Sequence, residues 1–353
     1  MADVAFGIFD HIDHRPAPLA EIYEQRLQLL DAADAAGFAG FHLAEHHATP
    51  LSVVPSPGIF LAAATQRTRR IRLGPLVFLL PLYSPLRLLG EICMLDHLSQ
   101  GRLDLGIGRG VSPFEHDYFG VSPLRSREMF QEALEILIAG FTSERLSYKG
   151  DYYQYRNVPI ELHPFQQPYP PLWYPTSRRE SVSYAARHGM STVLAGSPEM
   201  VRDRVALYRE VWEAHREDPE RLNPRVMAPR IGVSLKVYVA ESDADAVATA
   251  RPAHRLHHER LVKLWQDFNT LPTGFSPDLD AMLERHGALI GTPAHVRDEI
   301  AYWFETTGCN YLACHFAFGD LTHAQALRSL QLFAEEVMPP FLAPAATAVT
   351  GEA

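Results

Sequence analysis

The sequence lacks the marks of several large protein classes. It has only three cysteines in 353 residues, Cys93, Cys309 and Cys314, and no Cys-x-x-Cys pair. A sparse, odd set of this kind is typical of reduced, buried thiols and not of a disulfide framework or a zinc ribbon. The most apolar run, Leu73–Tyr83, contains two prolines and is too short to span a bilayer.

Positive charge is also scarce. The formal net charge is −10, and no run of lysine or arginine occurs, which argues against a nucleic-acid surface. The N-terminus has no basic segment ahead of an apolar one, as a secretory signal would have. We therefore expect a cytoplasmic protein that engages neither membrane nor nucleic acid.

What the sequence has instead is a repeated alternation of strand-like and helix-like segments. Strand and helix alternate four times within about the first 140 residues, which favours βα units and a parallel sheet. The alternation lapses at 141–171, rich in Tyr and Pro, and at 251–286, which has no clear period. About eight such units predict a TIM (β/α)8 barrel with insertions after strand 4 and strand 7. A doubly wound sheet is the main alternative, but no Gly-x-Gly-x-x-Gly follows the first strand.

The predicted elements follow from apolar periodicity and from start and stop residues. We expect a single barrel domain over 1–342, with insertions at about 141–171 and 251–286, the second holding helices and a mobile loop. The Ala/Thr/Pro-rich tail, 343–353, is expected to be disordered. The predicted strands are Val4–Phe9, Phe41–Ala44, Ile71–Leu80, Arg102–Ile107, Leu172–Pro175, Ser191–Leu194, Ile231–Val239 and Asn310–His315. The principal predicted helices are Leu19–Ala36, Ser56–Arg67, Pro85–Leu98, Ser126–Ala139 and Thr322–Val337, with others ending at His188 or opening at Pro198 and Pro293.

Polar side chains follow most of these strands, at the end where TIM barrels carry their active sites. The second strand runs directly into Glu45, His46 and His47. A buried carboxylate or imidazole without a partner is costly, so these three cannot all be core residues. Histidine is the side chain best suited to moving a proton near neutral pH, although two solvated loop histidines are the plain alternative. The other predicted rim residues are Asp10, His11, Ser84, Arg109, Thr176, Ser177 and His315.

A second set of residues suggests an anion site. Arg109 lies in a Gly-Ile-Gly-Arg-Gly segment, where the backbone can approach a ligand and the guanidinium can hold an anion by paired hydrogen bonds. Ser177, Arg178 and Ser181 lie at a helix start, where free N–H groups attract phosphate. Arg127 begins another helix and could reach the same anion. Each could alone be a cap or a surface ion pair, but together they suggest a phosphate-bearing cofactor.

Four motifs in register connect the chain to a known family: Glu45–His47, Leu95–Arg102, Gly106–Gly110 and Ser126-Arg127. With them the chain resembles the bacterial luciferase-like flavin monooxygenases, over about 4–239 and again over 291–341. The resemblance implies a TIM barrel that binds reduced FMN non-covalently at its carboxyl rim. His46 then matches the catalytic histidine, with Glu45 or His47 fixing its tautomer. The positions that match holders of the FMN phosphate are Arg109, Arg127, Ser177 and Ser181.

Other positions refine what the resemblance implies. Leu76-Val77 matches a strand position against the isoalloxazine ring, which in relatives can be a non-proline cis peptide. Gly108 stands where true luciferase has a cysteine, so light emission is not implied. One extra residue follows Ser177 relative to luciferase, which weakens the match at Ser181. The poor alignment of 251–286 leaves the substrate open.

The function that the resemblance implies is a two-component monooxygenase. A separate flavin reductase, in transient contact, supplies reduced FMN, and a flavin peroxide oxidises a small organic substrate while His46 assists proton transfer. Family members are usually dimers, so a homodimer is expected. A deazaflavin-dependent dehydrogenase and a non-catalytic flavin-binding subunit remain open. A metal hydrolase using Asp10, His46 and His47 is disfavoured by the His-His spacing, and no metal is expected.

Overall fold

The computed structural model describes residues 4–270 and 275–342. Its strands in chain order are β1 (Ala5–Asp10), β2 (Gly40–Leu43), β3 (Arg72–Pro75), β4 (Phe78–Leu79), β5 (Leu105–Gly108), β6 (Arg145–Lys149), β7 (Gln154–Pro159), β8 (Leu172–Trp173), β9 (Thr192–Leu194), β10 (Ile231–Val239), β11 (Ala288–Gly291) and β12 (Tyr311–His315). The helices are α1 (Leu19–Ala36), α2 (Pro57–Arg67), α3 (Pro85–Leu98), α4 (Pro113–Tyr118), α5 (Ser126–Thr142), α6 (Arg179–Arg187), α7 (Pro198–His215), α8 (Asp243–Asp267), α9 (Leu279–Leu283), α10 (Pro293–Thr307) and α11 (His323–Leu332).

Parallel strands close into a ring. β1 pairs with β2 and β12, β10 pairs with β12 and β9, β2 pairs with β3, and β5 pairs with β4 and β8. Single parallel bridges, Leu73 to Leu103 and Trp173 to Ser191, join the remaining neighbours. The ring order is therefore β1, β2, β3 with β4, β5, β8, β9, β10 and β12, and the predicted TIM barrel is confirmed.

Each strand separates two apolar layers because successive side chains point to opposite faces. On β1, Phe6 and Ile8 join the main core between strands and helices. Ala5 packs instead with Tyr311 and Trp173 in a separate cluster, which fills the inside of the ring. Most of the polar groups considered below consequently lie at or beyond the carboxyl ends of the strands.

Several predicted elements have the predicted bounds. α1, α3 and β10 agree residue for residue with the sequence expectation. The third predicted strand is instead two short strands, β3 and β4, on either side of the Leu76–Val77 peptide bond, which is cis.

The first insertion contains the antiparallel hairpin β6–β7, as the Lys149-Gly150-Asp151 turn between strand-like segments predicts. The second insertion is more ordered than the sequence indicated. In the second, α8 continues through Pro252 to Asp267, and β11, which was not predicted, adds to β10 beside the ring. α4 was also missed. Residues 271–274 of the predicted loop and the predicted tail, 343–353, lie outside the described residues, and the single-domain organisation stays a prediction. None of the described helices has both the length and the apolar character needed to cross a bilayer.

Replacing Gly106 by alanine should destabilise the barrel. A β-carbon there would overlap the carbonyl oxygen of Pro75 on the neighbouring strand, and overpacking of this kind typically costs about 1–3 kcal/mol. Gly90→Ala is the matched control, because nothing lies within 4 Å of its β-carbon position on α3 and alanine favours a helix by about 0.5–1 kcal/mol. The thermal midpoint of Gly106→Ala should lie below that of the parent chain, and that of Gly90→Ala should equal or exceed it. Midpoints equal to the parent's for both variants would contradict the packing described.

Candidate active site at the carboxyl end of the barrel

The two histidines after β2 are held by one buried carboxylate. His46 Nδ1 lies 3.2 Å from Glu115 Oε1, and the same oxygen accepts a hydrogen bond of 2.7 Å from the His47 backbone N–H. Since a carboxylate accepts, Nδ1 of His46 carries the proton and Nε2 is left for a ligand. Burial would raise the pKa of Glu115, but the bonds from His46 and His47 outweigh it and lower that pKa.

This arrangement corrects the expected partner of His46. Glu45 does not bond to His46; its Oε1 accepts a hydrogen bond of 2.8 Å from His47 Nε2, and its Oε2 accepts one of 3.0 Å from the Leu79 backbone N–H. Burial raises the pKa of Glu45, and these bonds together with one from Tyr83 offset only part of that effect. Glu45 and His47 therefore tie the loop to β4, while Glu115 fixes the tautomer of His46.

Glu115 belongs to α4, a short helix that connects three parts of the rim. Ser112 caps it by accepting a hydrogen bond from the Glu115 backbone N–H. The neighbouring His116 donates a hydrogen bond of 2.7 Å to the backbone carbonyl of Arg109. On the other side, Phe114 stacks on Phe268 beyond α8, with ring centroids 4.2 Å apart. One helix thus sets the positions of both the histidine loop and the arginine loop.

Three arginines gather around one tyrosine on the far side of the ring. The Tyr174 hydroxyl is hydrogen bonded to Ser181, and the charges of Arg109, Arg127 and Arg178 all act on it. Burial raises the pKa of Tyr174, and the arginines oppose that rise. Within the described residues none of the three arginines has a carboxylate within 4.0 Å. A group of guanidiniums and hydroxyls without a counter-ion is a site for an anion.

Not every predicted cofactor residue joins this group. Ser177 uses its hydroxyl oxygen to accept a hydrogen bond of 2.8 Å from the Ala195 backbone N–H, so it ties the β8 loop to the β9 loop. Leu76 is buried and Val77 is partly exposed, and a β-carbon at Gly108 would lie 2.5 Å from Val77 Cγ2. Val77 therefore fills the space over Gly108, next to the arginine loop.

The features fit a phosphate-bearing ring cofactor. The arginine group supplies donors for a phosphate, the Leu76–Val77 segment supplies an apolar surface, and His46 keeps one ring nitrogen free. Glu115 and Tyr174 were missed from the sequence. The signal for Glu115 was present, because Ser112-Pro113-Phe114-Glu115 has the capping residue, first-turn proline and acid of a helix start; a single tyrosine carries no such signal.

The metal ligands of the disfavoured hydrolase alternative do not come together. Asp10 forms an ion pair of 3.0 Å with Arg26 and does not join His46 and His47. The described residues contain a different group of possible metal ligands, His11, Asp13, His257 and His315, which is considered below.

Comparison with known proteins decides the family. The model of the luciferase-like monooxygenase family matches residues 4–310. The chain belongs to this family. It is therefore an oxidoreductase, and the resemblance noted from the sequence is confirmed.

Among curated relatives, Uncharacterized protein y4wF of Sinorhizobium fredii is 40% identical over 339 residues, 95% of this chain and 96% of its own. The oxygenase component of the flavin-dependent trigonelline monooxygenase of Acinetobacter baylyi is 28% identical over 252 residues, covering 69% of this chain and 68% of its own.

Solved structures of luciferase-like and related enzymes share the fold. Monooxygenase RslO1 from Streptomyces bottropensis matches with a TM-score of 0.84 and 28% identity, covering 96% of this chain and 99% of its own. The oxygenating constituent of 3,6-diketocamphane monooxygenase of Pseudomonas putida, solved with FMN, matches at 0.80 and 23% identity over 97% and 100% of the two chains. The F420-dependent tetrahydromethanopterin reductase of Methanopyrus kandleri matches at 0.72 and 17% identity over 96% and 100%. The last two likenesses concern the fold alone.

Replacing Glu115 by glutamine should make the protein less stable in a pH-dependent way. The pKa of Glu115 is lowered in the folded chain, so its ionised form stabilises the fold above the unfolded pKa of about 4.3, and that contribution disappears as the pH falls through the lower folded value. We expect the free energy of unfolding of Glu115→Gln to be lower than that of the parent by about 1.5–3 kcal/mol at pH 7, the range for hydrogen bonds to a charged group. This deficit should narrow below about pH 4.

The control for this pH dependence is Asp117→Asn, an exposed position on the same helix, which should stay within about 0.5 kcal/mol of the parent at every pH. Chemical unfolding at a series of pH values measures both. A Glu115→Gln deficit that is constant from pH 7 to pH 3 would show that the carboxylate charge does not hold the histidine loop.

Proposed function

We propose that the chain is the oxygenase component of an FMN-dependent two-component monooxygenase. The single observation that carries this is the arginine group around Tyr174, on the same rim as an imidazole with a fixed tautomer. Support comes from the flavin-dependent oxygenase component among the relatives and from the FMN complex on the same fold. A separate flavin reductase would deliver reduced FMN by transient contact, and the enzyme would act as a cytoplasmic homodimer of one barrel domain, 1–342.

The arginine group would hold the FMN phosphate. Arg109, Arg127 and Arg178 neutralise its charge, and the hydroxyls of Tyr174 and Ser181 add hydrogen bonds at the start of α6, where free N–H groups also favour an anion. Ser177 would act by orienting the loop and not by direct contact. Leu76 and Val77 would lie against the isoalloxazine ring and exclude water from one of its faces.

When bound, reduced FMN supplies two electrons to dioxygen, so that one oxygen atom enters the substrate and the other leaves as water. His46 would hold or move the proton that this reaction needs. Its Nε2 is the free nitrogen, because Nδ1–H is committed to Glu115. Glu115 keeps the imidazole in that tautomer, while Glu45 holds His47 away from the reacting atoms. Small organic substrates such as aldehydes or ketones suit this reaction.

Replacing Arg109 by methionine should weaken FMN binding and leave riboflavin binding unchanged. Riboflavin lacks the phosphate, and a charge-assisted hydrogen bond is worth about 1.5–3 kcal/mol, which corresponds to about 10- to 100-fold in Kd. Arg178→Met should act in the same direction. Arg187→Met, an exposed arginine at the other end of α6, is the control. Anaerobic titration with reduced FMN and reduced riboflavin measures all four proteins; an equal loss for both flavins would refute a phosphate role.

Replacing His46 by alanine should uncouple oxygen use from product formation without changing FMN affinity. Loss of a positioned proton donor costs about 100-fold or more in rate, so hydrogen peroxide should replace product. His14→Ala, an exposed histidine, is the control. The test loads the enzyme with chemically reduced FMN, adds an oxygen pulse with cyclohexanone or decanal, and measures product and peroxide. Full product yield from His46→Ala would reject the role of His46 in proton transfer. Hydride transfer from a reduced deazaflavin without oxygen uptake would instead favour the alternative function, a deazaflavin-dependent dehydrogenase.

A further inference from the structure

A second polar cluster lies at the same rim and has no part in the function proposed above. We call it the histidine cluster: His11 after β1, Asp13 in the following loop, His315 at the end of β12, and His257 on α8. One ligand atom from each lies within 4.8 Å of the others. Asp13, His257 and His315 are at most 3% exposed. Buried groups of this kind are costly unless each has a hydrogen-bond partner.

The histidine cluster is only partly satisfied. Asp13 Oδ2 accepts hydrogen bonds from His257 Nδ1 at 2.9 Å and from the Gly319 backbone N–H at 2.9 Å. Among the described residues, three other buried atoms of the cluster have no hydrogen-bond partner: Asp13 Oδ1, His11 Nδ1 and His315 Nε2. The first two belong to the loop after β1 and the third to the end of β12, which pairs with β1, so a ligand with both donor and acceptor capacity would satisfy them together.

The charges around the cluster do not cancel. Arg26 is paired with Asp10 at 3.0 Å, and Arg260 with Asp13 at 3.4 Å. Lys236 on β10 has no carboxylate within ion-pair distance in the described chain; its Nζ lies 3.0 Å from His254 Nδ1. Burial lowers the pKa of Lys236 to about 8, so the ammonium predominates at pH 7.

The imidazoles do not add to this charge. Burial lowers the pKa of His11, His257 and His315 well below the ordinary value, so at pH 7 all three are neutral. The cluster therefore has one uncompensated positive charge, and neutral rings offer both a donor and an acceptor.

The position of the cluster relates it to the proposed flavin site. The arginine group follows β5 and β8, whereas the histidine cluster and Lys236 come from β1, β12, β10 and α8. In the ring order, β2 and β3 with β4 separate these sets on one side and β9 separates them on the other, so they face each other across the barrel mouth. The His11 ring stacks on the His46 ring with centroids 5.6 Å apart, which places the cluster beside the imidazole assigned to proton transfer.

We propose that the histidine cluster and Lys236 bind an acidic hydroxyl of the substrate, as found in an enol or a phenol. The O–H donates to Asp13 Oδ1 or to a ring nitrogen, and the oxygen accepts from Lys236. The inference rests on the proposed function, because it makes the substrate an oxygenated, acidic organic molecule and not a hydrocarbon. A divalent metal is the rival occupant of the cluster. It is disfavoured because Lys236, Arg260 and Arg26 would add repulsion to a site in which Asp13 already accepts three hydrogen bonds.

The test measures binding to the full-length chain by calorimetry, with and without saturating FMN. Phenol, which keeps its O–H at neutral pH, is the probe, and toluene is the matched apolar probe. The parent chain should bind phenol at least about tenfold more tightly than toluene. Lys236→Met and His315→Phe should each remove this preference and leave FMN affinity unchanged. Lys149 is an exposed lysine on the β6–β7 hairpin, and Lys149→Met should change neither the probe preference nor the FMN affinity.

The outcomes separate this inference from the proposed function. FMN binding without any preference for phenol over toluene in the parent chain would overturn the acidic-hydroxyl site alone, and this comparison needs no variant to fold. A preference for phenol without FMN binding would overturn the flavin function and support the site. Tight binding of one Zn²⁺ that is lost in His315→Phe and that displaces phenol would assign the cluster to a metal instead.

Discussion

The carboxylate of Glu115 is the contact on which the rim depends. One oxygen receives both the His46 ring and the His47 backbone, so this single group sets the direction of the side chain and the path of the loop that carries it. It is buried, and an unpaired buried carboxylate would be costly. The histidine loop and α4 must therefore form together. His116, the next residue, extends the same constraint to Arg109.

The barrel supplies the rigid frame for these loops. Its strands end at one rim, where the chain changes from apolar to polar within one or two residues. β5 and β8 lead to the arginine group, and β1, β10 and β12 lead to the histidine cluster. Because parallel strands all present their carboxyl ends at this rim, groups that are hundreds of residues apart in sequence face one another across the mouth of the barrel.

Much of this could be predicted where the sequence has a regular apolar period with recognisable ends. α1 stops at Gly37 in the left-handed conformation, and α7 starts at the Ser197 cap, as expected. α8 could not be found in this way. Alanines form the buried face of its first half, but His254, His257 and Arg260, spaced three residues apart, interrupt the apolar stripe in its second half. The buried side is polar there because it faces the histidine cluster.

The pairing of site residues was harder to predict than their presence. His46, Arg109 and Arg127 were identified as candidates from their positions after strands and at helix starts. The partner of His46, however, is Glu115, which is 69 residues away on a helix of six residues. The local sequence gives no reason to choose Glu115 as that partner over Glu45, which is adjacent to His46. Long-range pairing between loops depends on tertiary geometry that periodicity does not encode.

The bond between Asp13 and the far end of the chain has a consequence for how the protein is made. Asp13 bonds to His257 and Gly319, 244 and 306 residues away, and β1 is enclosed only when β12 pairs with it. During synthesis the N-terminal strand must wait for nearly the whole polypeptide to leave the ribosome before its edge is covered. Until then Asp13 and the edge of β1 remain in water, and the half of the rim that carries the histidine cluster is the last to take shape.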